Sequence, residues 1–290
     1  MRWLALFAIP LLFDSPLSAQ EKDETVEKQK MAALANLKKC EVANPALIET
    51  TNLIVGGGYP EEKLKSMGEM VQKSYTSALK ALKFSEMESP PKGKLAIYFF
   101  ADRKQFSAFV NEVLTEKLER DERTHIDARG NEPFVAVSVL PGEKPIDLDA
   151  EASRQVGVAL LLAKAGPALM PSWMQDGFAR ALQTRSNPQL AAADKAAVRK
   201  LIVVDPKTKA SKYQVWDIWG SAQGAERKVL AASFMEYLLF GPDQTKFKKI
   251  VEALRPDDTL KPTFETALKA AEIAPDALDK AWKKWVMTGK

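Results

Sequence analysis

His125 is the only histidine and Cys40 the only cysteine in this chain of 290 residues. Those counts remove most familiar chemistry. A zinc site of the usual kind draws on several imidazole, thiolate or carboxylate ligands, and a nucleophilic side chain wants a base beside it, most often histidine. His125 stands between Thr124 and Ile126, in the polar stretch Leu118 to Asn131, and reads as a surface residue of an exposed connection. Cys40, among Lys38, Lys39 and Glu41, has no partner for an internal disulfide and reads as an ordinary half-buried thiol. Gly56-Gly57-Gly58 lacks the Lys-Ser/Thr that completes a phosphate loop, so a flexible strand-to-helix turn is expected there. No Gly-x-Ser-x-Gly elbow is present. The pairs Asp147 with Asp149 and Asp257 with Asp258 fit helix starts and turns.

The elements that must position any site follow from periodicity. Glu21 to Lys39 is charged, with Met31, Leu34 and Leu37 at helical spacing, and is expected as a helical lead-in. Strands are expected at Thr50 to Val55, Lys94 to Phe100 and Phe134 to Leu140, paired in one sheet. Between them lie a long helix opened by Pro60 and a second capped by Asp102. From Asp147 onward the chain reads as helical. Helices are expected over Ala150 to Ala165, Pro171 to Leu182, Gln189 to Leu201, Ala225 to Phe240, Gln244 to Leu254, Pro262 to Ala270 and Pro275 to Val286. The fold class is therefore α+β and helix-rich, with a small N-terminal sheet followed by a helical half.

Bulk composition is that of a globular protein: 46% hydrophobic and 28% charged residues. The 42 basic and 38 acidic residues are interleaved, so the net charge of +4 gives no concentrated basic face for nucleic acid. Runs such as Lys246, Lys248, Lys249 read as wet helix faces, and Trp282 and Trp285 as packing anchors. Residues 1–19 have the layout of a secretory signal: Arg2, the apolar run Trp3 to Phe13, then Leu17-Ser18-Ala19 before Gln20. Export to the periplasm or the extracellular space is expected, with no membrane span left after cleavage.

Two local strings resemble a known family. The first is Ala152-Ser153-Arg154-Gln155-Val156-Gly157-Val158-Ala159-Leu160-Leu161; the second is Leu169-Met170-Pro171-Ser172-Trp173-Met174-Gln175-Asp176-Gly177-Phe178-Ala179. They resemble the H-E-x-x-H-x-L-L helix and the L-P-x-W-x-x-E-G-x-A segment of exported gluzincin-clan zinc metallopeptidases, the peptidase MA-like group. Phe234 to Leu254 and Ala281-Trp282 are similar to that family's tail. The likeness covers roughly residues 49–290, and its specific part is Ala152 to Ala179.

The expected organisation is a leader over 1–19, a helical lead-in over 20–48, and a domain over 49–290, for which the resemblance implies a zincin-like fold split into a sheet-containing half, 49–146, and a helical half, 147–290. The resemblance also implies a lost metal site. The positions of the two zinc-binding histidines hold Arg154 and Val158, that of the general base holds Gln155, and that of the final acidic ligand holds Asp176. Arginine and valine offer a metal no lone pair. No catalytic residue, metal or cofactor is assigned. Arg154 and Asp176 are expected to pair where the metal would lie, with the Gln155 amide turned to the cleft and Val158 filling space. Glu151, Trp173 and Gly177 are expected to line that cleft. The function implied is that of a pseudoenzyme holding an extended peptide or a protein, along the strand Phe134 to Leu140. The alternative is an active hydrolase that uses acidic residues or an unrecognised metal site.

Overall fold

A computed structural model describes residues 19–83, 93–130, 132–139, 148–166, 168–203, 213–218, 224–242, 244–256 and 262–289, with side chains from Glu24 onward. The first 18 residues of the expected leader lie outside this set, as do Ser89-Pro90-Pro91, Pro141-Gly142, Asp147, Lys207 to Lys212, Asp257 and Asp258. The fold is α+β, with a small N-terminal sheet followed by helices.

Five strands form one mixed sheet: β1 (Ala46–Glu49), β2 (Leu53–Gly57), β3 (Leu95–Phe100), β4 (Thr124–Asp127) and β5 (Phe134–Ser138), in the order β1-β2-β3-β5-β4. The three central strands run parallel and both outer pairs are antiparallel. Central strands buried on both faces explain the near-continuous apolar runs LIV, LAIYFF and FVAV. The three expected strands do share one sheet. The two edges were hidden because their alternation is faint: Ala46–Glu49 is short, and Thr124–Asp127 is half-buried and polar. Of the three glycines expected in a turn, Gly56 and Gly57 lie in β2 and only Gly58 follows it. A Cβ on Gly56 would meet Leu47 and Leu37 side chains, and one on Gly57 would fall 2.6 Å from the Phe99 carbonyl oxygen.

Each face of the sheet carries a helical layer. On one side α1 (Ala19–Lys39), α3 (Arg103–Ala108) and a π-turn (Phe109–Val113) bury Leu37, Phe106 and Phe109 against Tyr98, Phe100 and Phe134. The segment expected as a lead-in is thus a layer of the sheet domain. Gln29 fixes it: its amide nitrogen donates to the Lys94 carbonyl and its oxygen accepts from the Lys94 N–H, as a strand partner would. On the other side lie α2 (Glu61–Leu82) and α4 (Leu148–Ala165), with Leu64, Val71, Tyr75, Val156 and Leu160 facing Val55, Ile97 and Val135.

α4 also contacts α5 (Ser172–Ser186), which joins sheet layer to helical half. The rest is α6 (Pro188–Ile202), a 3-10 turn (Val215–Ile218), α7 (Gly224–Phe240), α8 (Gln244–Ala253), α9 (Phe264–Ala270) and α10 (Pro275–Thr288). Aromatic rings fill this half: Trp173 stacks on Phe234, which meets Trp282 edge-on.

Candidate functional site

The family-like strings fall on the two adjacent helices α4 and α5. Their polar residues converge with one arm from the strand layer. Glu151, in the first turn of α4, is the hub. Arg154 donates to both of its oxygens, at 3.0 and 3.3 Å, and the Gln155 amide donates at 2.6 Å. Arg123, just before β4, adds a fourth donor at 3.1 Å. The (i, i+3) and (i, i+4) spacing on one helix face makes the first three contacts nearly automatic. The fourth ties the edge of the sheet to α4.

Burial alone would raise the Glu151 carboxyl. The Arg154 hydrogen bonds and charge, then the Gln155 amide and Arg123, outweigh that and hold it below its ordinary value. Burial likewise works against the Arg154 charge, and Glu151 and Asp176 overturn it, so the guanidinium is held more firmly protonated.

The Arg154–Asp176 pair exists, at 3.4 Å, but is the weaker half of the arrangement. The Asp176 side chain is 55% exposed against 10% for Glu151, so the guanidinium has settled on the drier carboxylate. Two further expectations need correction. Gln155 is buried and turns to Glu151 rather than to open space, because a buried carboxylate recruits every donor in reach. Trp173 and Gly177 do not line a cleft. Trp173 is 3% exposed, packed between Phe234 and Phe264. Gly177 sits where α5 crosses α7, and a Cβ there would fall 2.6 Å from the Ala231 carbonyl oxygen. Val158 is buried on α4. The residues most specific to the second string, Trp173 and Gly177, therefore serve helix packing. Sequence reasoning missed Arg123, since nothing in a polar loop signals that its arm reaches α4.

Among the described residues no three His, Cys, Asp or Glu side chains gather as a metal-holding group. His125 points away from this network. Its Nδ1 lies 2.7 Å from Glu122 and its Nε2 3.3 Å from Glu116, with the ring stacked on Phe134. Cys40, the residue after the end of α1, is buried, and burial pushes its thiol up to about 11.

The cleft strand is also corrected. Phe134–Ser138 is paired on both sides, by β3 and by β4, and has no open edge. Among the described residues the outer strands of the sheet are β1 and β4, and the edge next to this strand is that of β4. Ser138 donates its N–H to the Arg123 carbonyl, which makes that pair a hydrogen-bonded one. Alternation along an antiparallel ladder then turns the N–H and C=O of Thr124 and Ile126 outward. Beside the far end of this edge is a pocket of about 340 Å³ lined by Ile126, Arg129, Leu162, Leu169, Met170 and Gln175. Its wall is braced by two side-chain bonds: Arg129 donates to the Ala168 carbonyl and Gln175 to the Met170 carbonyl.

No described helix is long and apolar enough to cross a membrane. No protein-family model matches the chain, and comparison with curated proteins finds no match.

Proposed function

We propose that the chain is an exported, non-catalytic, metallopeptidase-like protein that holds an extended peptide segment along the outer edge of β4. One observation carries this. Of the positions at which the resembled family holds its zinc and its base, Arg154, Gln155 and Asp176 are bound into a guanidinium–carboxylate–amide network around Glu151, and that network braces the outer strand β4 instead of presenting a reactive group. A strand added there gains backbone hydrogen bonds from Thr124 and Ile126, the mode by which sheet edges take up peptides.

Two measurements test the proposal. Protein dialysed after purification is expected to carry no stoichiometric zinc; about one zinc per chain would overturn the non-catalytic part. Proline substitution tests the edge. Thr124→Pro removes only an outward N–H and is expected to leave the fold within ~1 kcal/mol of wild type while abolishing peptide uptake. His125→Pro removes a ladder bond to β5 and is expected to cost about 3 kcal/mol. The reverse ranking would place the open edge elsewhere. Export predicts a mature N-terminus at Gln20, read by mass spectrometry of protein from its host.

The alternative reading, an active hydrolase that uses acidic residues, has one observation in its favour. A cavity of about 370 Å³ between α5, α6, α7 and α10 is lined by Asp194, Ser233 and Glu236. Burial raises the Glu236 carboxyl despite Arg185 and Lys195 nearby, while Asp194 is clasped by two bonds of 2.7 Å from Arg180. Loss of a hydrolytic activity in Glu236→Gln would favour this reading.

A further inference from the structure

We infer that the β4 edge selects segments carrying an apolar side chain of leucine or methionine size at the residue that lies opposite Ile126. This rests on the edge-docking reading above and specifies its ligand.

Ile126 stands opposite Val135 in the ladder, and both pack toward the α2–α4 layer. A strand added to the outer edge of β4 has its hydrogen-bonded positions opposite Thr124 and Ile126. Residues directly opposite one another in a sheet send their side chains to the same face. The added residue opposite Ile126 therefore points into the pocket between Ile126, Leu162, Leu169 and Met170. Leu169 is 41% exposed, one of five large apolar side chains this exposed among the described residues, and it is the one on this wall. It is held there without help from a ligand, since its N–H donates to the Leu254 carbonyl and the Arg129 and Gln175 bonds brace its neighbours. The pocket is thus preformed, and filling it costs the protein little ordering.

Residues two apart on a strand share a face. The added residue opposite Thr124 faces the same layer as the Ile126 partner. Its neighbours in sequence point to the His125 side and make no use of the pocket.

The test uses the full mature chain and two synthetic heptapeptides, acetylated and amidated, Lys-Thr-Thr-Leu-Thr-Thr-Lys and the same with Asp in place of Leu. Binding is followed by amide chemical shifts. The Leu peptide is expected to bind at least about tenfold more tightly than the Asp peptide, to shift Ile126 and Leu169, and to lose that advantage against the exposed-site variant Leu169→Asp. Equal binding of both peptides, abolished in both by Thr124→Pro, would overturn the selectivity and leave edge docking standing. Binding of neither peptide would overturn both. Shifts in wild-type protein confined to residues away from Ile126 and Leu169 would overturn the pocket assignment even if Leu169→Asp failed to fold.

Discussion

At Glu151 a single carboxylate accepts from two guanidinium groups and an amide, and the ranking of its partners is measurable. Glu151→Gln leaves Arg154 and Arg123 facing a neutral group in a partly dry site, and is expected to cost about 2 kcal/mol in denaturant unfolding. Asp176→Ala removes only an exposed partner and should cost less than ~0.5 kcal/mol. A larger loss at Asp176 would make the Arg154–Asp176 contact the principal one. Protonation gives two effects of opposite sign. Glu151 is depressed below its ordinary value of 4.5, so its stabilisation is complete above that value and fades as pH falls through the depressed one. Glu236 is raised, so its ionised form is the disfavoured one: the penalty is absent below the ordinary value of 4.5, grows as pH rises above it, and is complete above the raised value. Glu236→Gln is therefore expected to match wild type near pH 4 and to unfold at a higher denaturant midpoint at neutral pH. A lower neutral midpoint would mean that Arg185 outweighs burial.

At the scale of elements, the crossing of α5 over α7 leaves no room for a side chain at Gly177. Gly177→Ala puts a methyl group against the Ala231 backbone, which cannot rotate aside, and is expected to cost about 1–3 kcal/mol in a thermal or denaturant melt. The same residue shows why parts of the site were legible in the sequence and others were not. The helices were readable from apolar spacing and from caps such as Asp102, which accepts from the Lys104 N–H. The central strands were readable because burial on both faces leaves unbroken apolar runs. β4 was not, since a four-residue edge with all positions half-buried carries no alternation to detect. Arg154 and Asp176 were found because the family-like strings fix their places. The dominance of Glu151 over Asp176 depends on which carboxylate is drier, a property of packing that spacing does not encode. Trp173 and Gly177 look functional in a motif and prove to be the contacts by which α5 packs on its neighbours.

Across the whole molecule, α1 is held to the sheet by one buried amide as well as by apolar packing. Gln29→Ala would strip both backbone groups of Lys94 of their partner and is expected to cost about 2 kcal/mol, against a much smaller effect for the exposed neighbour Lys28→Ala. Equal effects would reduce α1 to an accessory. The order of strands carries a further consequence. β4 precedes β5 in the chain, yet β5 lies between it and β3. As synthesis proceeds, β4 emerges with nowhere to attach, and β3 presents a bare edge until Phe134–Ser138 has been inserted beside it. The parallel registers join residues some forty positions apart, the kind of contact that forms late. A chain stalled before residue 134 therefore exposes the apolar LAIYFF strand along one side, and it is this species, not the finished protein with its two four-residue edge strands, that should aggregate.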